Sequence, residues 1–176
     1  YEVIDPVNDP HIIEYNSQHL VLLDKVKNQI AFSKTPYKEL VENDADFTLA
    51  VKEHVATLNT WQEFLDFYTK ASMPGYKYGN EYIEGFVFED AAGFMTKLKT
   101  DYYSKWKHMR SVADSVRRWG YIQNTAQLTD AVENAFYGFL REKYNQDESF
   151  RNYKQQRGYD IITLRKQFFA ERGEPV

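Results

Sequence analysis

The stretch from Ile83 to Tyr103, IEGFVFEDAAGFMTKLKTDYY, constrains the fold more than any other part of the chain. Two runs with strand character, Ile83 to Glu89 and Phe94 to Thr100, flank Asp90-Ala91-Ala92-Gly93, whose terminal Asp and Gly favour a tight reversal, so the spacing predicts a β-hairpin. With a loop of two or four residues, Glu84 lies opposite Lys99, Phe86 opposite Lys97 and Phe88 opposite Met95. Alternation along the strands then puts all six on one face, and Ile83, Val87, Phe94 and Leu98 on the other. A hairpin apolar on both faces is expected to be buried on both. Lys97 and Lys99 then need an anionic partner, because a lone ammonium in desolvated surroundings is costly. The same spacing fits a surface hairpin with a Glu84–Lys99 cross-strand pair contributing only ~0.2–1 kcal/mol.

The chain has 176 residues, no cysteine, 16% aromatic residues and a net charge of −4. That length suits one domain or one and a half with a sizeable core. Without cysteine there is neither a disulfide scaffold nor thiol catalysis, which suits a reducing compartment. No apolar run approaches the ~20 residues that cross a bilayer, so a soluble, cytoplasmic protein is expected. Charge is unevenly divided, −8 over residues 1–103 and +4 over 104–176. A basic tail suits contact with phosphate backbones, and a solvated helical surface gives the same balance.

Ahead of the hairpin, Tyr1 to Ile4 reads as a strand, interrupted by the turn-rich Asp5-Pro6-Val7-Asn8-Asp9-Pro10 and resumed over His11 to Tyr15. Leu20 to Asp24 is a second strand expected in the same sheet. A helical insert follows. Thr35-Pro36 is read as N-cap and first helical residue, and Asp44 to Leu58 carries Phe47, Ala50, Val51, His54 and Val55 at helical spacing. Thr60 to Glu63 is a capping box, with Trp61, Phe64, Leu65 and Tyr68 as the stripe behind it and Met73-Pro74-Gly75 as the stop. His11, His19, His54 and His108 show no metal-ligand spacing.

Glu-Gly-x-Val followed by Lys-x-Lys-x-x-x-Tyr resembles motifs IV and V of the covalent nucleotidyltransferases: DNA ligases, RNA ligases and mRNA capping enzymes. The aromatic-Glu pair at Tyr1-Glu2, the Pro-x-Asn turn, the Ile12-Ile13 step and the aliphatic strand ending near Asp24 resemble motifs III and IIIa of the T-even phage RNA ligase 1 family. The resemblance implies an α+β fold: a partial nucleotidyltransferase (ATP-grasp-like ligase) antiparallel sheet with a helical insert over residues 1–103, followed by a small all-α C-terminal domain over 104–176. It implies ATP and Mg2+ as cofactors and RNA, tRNA included, as partner. By resemblance Lys97 and Lys99 stabilise charge on the reacting phosphate, Glu84 takes the metal, Glu2 accepts hydrogen bonds from the ribose, and Tyr103 steadies the phosphate pocket. The nucleophile of the family lies in Lys-x-Asp-Gly upstream of motif III, and no lysine here is followed by x-Asp-Gly. The expectation is the C-terminal part of a longer ligase, inactive without its N-terminal half.

The tail should form three or four helices. Ser104 to Trp119 is basic, with Lys105, Lys107, Arg110, Arg117 and Arg118 as a candidate RNA stripe; Thr125 opens a long helix with Leu128, Val132, Phe136, Phe139 and Leu140 inward. Ser149 to Gln156 extends or follows it, and Asp160 caps a last helix ending at Gly173. Two alternatives remain at this point. A DNA ligase would place an OB-fold barrel after Tyr103, and a non-enzymatic helical interaction protein would leave Glu84, Lys97 and Lys99 unrelated in space.

Overall fold

The computed structural model describes residues 1–9, 11–31, 33–43, 50–152 and 158–174. The chain runs through β1 (Glu2–Ile4), β2 (His19–Leu22), β3 (Val26–Lys27), β4 (Ser33–Lys34), α1 (Tyr37–Asn43), β5 (Ala50–Val51), α2 (Trp61–Ala71), β6 (Gly85–Glu89), β7 (Met95–Lys99) and α3 (Asp101–Trp119). A 3₁₀ turn at Thr125–Gln127 precedes α4 (Ala131–Gln146), α5 (Glu148–Arg151) and α6 (Ile161–Arg172). The α+β class holds in this coarse form.

The single sheet expected from the sequence is divided into separate small ones. β1 pairs antiparallel with β2, β5 joins β2 in parallel, β3 pairs with β4, and β6 pairs with β7 as the hairpin. The strand expected over His11 to Tyr15 does not form. Ile12 is buried in the helical core instead, and its carbonyl accepts a hydrogen bond from Arg165 Nη1 at 3.2 Å, which takes it out of any ladder. The helix expected over Asp44 to Leu58 also fails where it is described: Ala50 and Val51 lie beside Val21 and Leu22, and irregular chain follows. Strand pairing outweighs the helical period there. Phe47 lies outside the described residues, and His54 is exposed, 3.1 Å from the Thr57 hydroxyl. The helix expected from Thr35-Pro36 begins one residue later, with the Leu40 amide donating to the Pro36 carbonyl.

The capping box of α2 is present, Thr60 accepting from the Glu63 amide while the Glu63 carboxylate accepts from the Thr60 amide. Its inward stripe differs from the expected one. Phe64 and Phe67 pack edge-on against Phe86 and Phe88 of β6, whereas Trp61 is 70% exposed.

Beyond Tyr103 all described elements are helical, and no strand of an OB-fold occurs among the described residues. The core gathers Trp106, Met109 and Val116 from α3, Phe136 and Leu140 from α4, Phe150 from α5, and Leu164 and Phe168 from α6. The long helix opens at Asp130 rather than Thr125, because the Asp130 carboxylate accepts from the Glu133 amide at 2.9 Å. α5 covers only the start of the expected Ser149 to Gln156 segment, whose end lies outside the described residues.

The basic stripe on α3 is also revised. Arg117 is 4% exposed, donates from Nε to the Phe150 carbonyl at 3.1 Å and from Nη2 to the Asn152 carbonyl at 3.3 Å, and lies over the Phe150 and Tyr159 rings. It belongs to the core. Lys105 pairs with Asp130 at 2.6 Å, while Lys107 and Arg110 are exposed. Arg117→Met should therefore destabilise the fold by about 2–4 kcal/mol, since buried carbonyls lose a charged donor, whereas Arg110→Glu stays within about 0.5 kcal/mol of the parent. Urea midpoints of the two variants check this, and equal midpoints would refute the burial assignment.

Candidate functional site

The hairpin loop decides which side chains share a face. The Asp90 amide donates to the Phe94 carbonyl and the Gly93 amide to the Asp90 carbonyl, both at 2.9 Å, closing an odd three-residue loop with Gly93 at φ 84°. The Asp90 carboxylate stiffens it by accepting from the Ala92 and Phe94 amides, also at 2.9 Å. An odd loop slips the register by one residue relative to the even loop the sequence suggested. Phe86 now faces Leu98, Val87 faces Lys97, and Gly85 faces Lys99.

Lys97 and Lys99 consequently share a face with Val87, Glu89 and Met95, and the aromatic face with Phe86 and Phe88 belongs to α2. Nor is the lysine face buried as expected: Val87 and Met95 are exposed, and Lys97 is exposed with no carboxylate partner among the described residues. Lys99 does pair with Glu84, as the sequence suggested. Strict alternation would send Glu84 to the Phe86 side, and the break falls at Gly85, at φ 155°, where a Cβ would lie 1.9 Å from the Leu98 carbonyl oxygen. Only glycine fits that approach.

Thr100 joins this pair to the following helix. Its hydroxyl donates to the Ile83 carbonyl at 2.7 Å and accepts from the Tyr103 amide at 3.2 Å as N-cap of α3, and its amide donates to the Glu84 carbonyl at 3.0 Å. One turn into α3 the Tyr103 ring lies between two ammonium groups, Lys99 Nζ at 5.1 Å and Lys107 Nζ at 5.6 Å from its centroid.

Tyr15 lies within the electrostatic field of both the hairpin and β1. Burial first, then the negative charges of Glu84 and Glu2 and the Tyr103 phenol, push the Tyr15 phenol above its ordinary value. It stays a neutral donor at ordinary pH. Its ring meets those of His11 and His19 edge-on at 5.5 and 6.2 Å. Glu2, Glu84 and Tyr103 thus lie within electrostatic reach of one phenol, with Lys99 on Glu84 and Tyr103. At the other end of the lysine face Lys34 of β4 reaches Glu89 at 3.0 Å.

Of the residues singled out from sequence, Glu84, Lys99 and Tyr103 come together, Lys97 shares the face without joining the ion pair, and Glu2 is linked to them only through its charge on the Tyr15 phenol. Tyr15 and Lys34 escaped that reading, and Lys107, expected in the RNA stripe of α3, lies beside Tyr103. Lys107 had a usable signal, lying one helical turn beyond Tyr103; Tyr15 and Lys34 had none.

The family model for T4-type RNA ligase, described as RNA ligase, matches residues 1–103. The chain belongs to this RNA ligase family. No curated protein and no solved structure matches the chain. The matched region of this RNA ligase family member contains Glu2, Tyr15, Glu84, Lys97, Lys99 and Tyr103, and ends one turn into α3.

Two outcomes test the geometry. Since folding raises the Tyr15 pKa above the unfolded value near ~10, the stability it adds is fully present below about pH 10 and is lost as pH climbs through the raised value. Tyr15→Phe should flatten the alkaline limb of the stability curve in urea melts from about pH 8 to about pH 11, and an unchanged limb would refute the assignment. Thr100→Ala should cost about 2 kcal/mol, about half for the lost cap and half for the unpaired Ile83 carbonyl, with Thr100→Ser restoring most of it. Denaturant midpoints of the three proteins decide between this and a passive Thr100.

Proposed function

We propose that this chain supplies the phosphate-handling side of the adenylylation site of an ATP-dependent RNA ligase that seals 5′-phosphate and 3′-hydroxyl RNA ends. The observation that carries the reading is Lys99, held by Glu84 beside Tyr103, with Lys97 two residues away on the same face and without an anionic partner among the described residues. Both lie inside the region matched to the family.

Charge grows on the non-bridging oxygens as a phosphorus centre exchanges partners. Fixed cations beside them stabilise that state more than the ground state. Lys97, without an ion pair among the described residues, meets an incoming phosphate directly. Lys99 already has its orientation fixed by Glu84 and the Tyr103 ring, so little ordering remains at the moment of reaction. The neutral Tyr15 phenol, within the field of both carboxylates, adds a donor, and Glu2 accepts from the ribose hydroxyls.

The donor set also fits Mg2+. Among the described residues no three metal-ligating side chains cluster, and Glu84 offers the single hard carboxylate with which Mg2+ would bind beside substrate phosphates and water. ATP supplies the adenylyl group, and the ion offsets the charge of the polyphosphate. The residues of this chain are assigned binding, orientation and charge stabilisation. Attack on the α-phosphate is not among them, since the sequence contains no Lys-x-Asp-Gly.

Incubation with α-labelled ATP and Mg2+ tests this. Residues 1–176 alone should take up no covalent label, whereas a polypeptide that also carries a Lys-x-Asp-Gly segment should, with Lys99→Ala cutting the rate by roughly 10²–10³. Acid-labile label on residues 1–176 alone, or full labelling by the Lys99→Ala variant, would overturn the assignment.

A further inference from the structure

A second cleft lies at the far end of α3, outside the region matched to the family. Its volume of about 520 Å³ falls among those of small-ligand pockets, and Trp119, Tyr121, Gln123, Asn124 and Gln127 line it. Gly120 creates it. At φ 77° this left-handed residue ends the helix and reverses the chain, and a Cβ there would lie 2.8 Å from the Tyr144 ring. The reversal leaves an aromatic ring on each side of the glycine.

Both rings are open. Trp119 is 68% and Tyr121 52% exposed, and neither stacks on another ring or cation among the described residues. Such exposure of a tryptophan forgoes a large burial term that the adjacent core takes from Trp106. The carboxamides of Gln123 and Gln127 make no hydrogen bond among the described residues, and Asn124 uses only its oxygen, accepting from the Ala126 amide at 3.0 Å. An open aromatic face beside exposed carboxamides that donate and accept matches an unpaired nucleobase, which has a π-face to stack and a polar edge to pair. A phosphate offers no such face, and an apolar peptide would bury the carboxamides without partners.

Ser115 and Trp119 lie four residues apart on one side of α3, while exposed Lys107 lies about 120° round the axis from Trp119 and exposed Arg110 on the opposite side, about 14 Å along it. The Tyr103 ring, within cation–π distance of Lys99 and Lys107, lies near the other end of the same helix, about 24 Å from Trp119 by helical rise and nearly opposite it round the axis.

We propose that the Trp119–Tyr121 cleft captures an unpaired base of a single-stranded RNA. The choice of RNA rests on the ligase reading, but the cleft is tested by binding alone. Anisotropy of a labelled, unstructured RNA oligonucleotide should show residues 1–176 binding at moderate salt. Trp119→Ala should weaken binding by roughly ten-fold, with Trp119→Phe keeping most of it because phenylalanine still stacks. The salt slope should be the same in parent and Trp119→Ala, since stacking neutralises no phosphate. A duplex of the same sequence should compete poorly. Thermal melts check that the exposed substitutions leave the fold intact. Parental affinity in Trp119→Ala, a Trp119→Phe as weak as Trp119→Ala, equal competition by the duplex, or no binding by the parent would each overturn the proposal. So would a parent dimer that Trp119→Ala dissolves, which would give the rings to a second copy of the chain. None of these results bears on the labelling by ATP, so the two readings fall separately.

Discussion

Everything near the candidate site depends on the buried hydroxyl of Thr100. It directly follows β7 and is the N-cap of α3, and through one oxygen it ties the Ile83 carbonyl to the Tyr103 amide. A strand and a helix meeting at a flexible joint would let Lys99 and Tyr103 drift relative to each other. Here the strand-to-helix angle is set by hydrogen bonds that no water replaces, since Thr100 is fully buried. Pre-organisation of this kind lowers the ordering entropy that any anion bound by Lys99 would otherwise have to overcome.

A second set of contacts holds the N-terminal segment on the helices. Ile12 fills the helical core, Arg165 donates to its carbonyl, and Lys166 pairs with Glu14. Arg165 is itself buried against the faces of Tyr102 and Trp106 at 5.2 and 5.3 Å, and burial lowers its pKa while the nearby Tyr102, Glu14 and Asp160 oppose the shift. Tyr82 stacks flat on Tyr102 at 3.7 Å, with Lys77 above it at 4.3 Å. The guanidinium thus keeps its charge among π-faces and a carbonyl, where a lysine would lack the planar fork for both. This strap brings Tyr15, three residues beyond Ile12, toward the hairpin.

What could be read from the sequence follows from the range of the interaction concerned. Caps and breakers act within four residues, so the Thr60–Glu63 box, the Asp160 cap and the Gly120 and Gly173 stops were legible. Glu84 with Lys99 was legible because hairpin partners are close in sequence. The strand expected at His11 to Tyr15 failed for a contact 153 residues distant, and the helix expected through Ala50 and Val51 failed for a pairing with β2. Arg117 was misread for a related reason: helical periodicity gives angles around an axis, and the turn after α5 that claims its guanidinium is invisible to that periodicity.

The one-residue slip in the hairpin shows how a small local error carries chemical weight. In the even-loop register both lysines share a face with Phe86 and Phe88, and α2, drawn to those rings, would cover the ammonium groups with Phe64 and Phe67. Reaching a polyphosphate from beneath such a layer would leave two charges desolvated whenever the site is empty. The odd loop separates the tasks. Aromatic residues face α2 and supply burial, while Lys97 and Lys99 face away, where water solvates them until an anion replaces it. The glycine at 93 and the aspartate at 90 select that loop, so two residues remote from the lysines decide on which side of the sheet the cations stand.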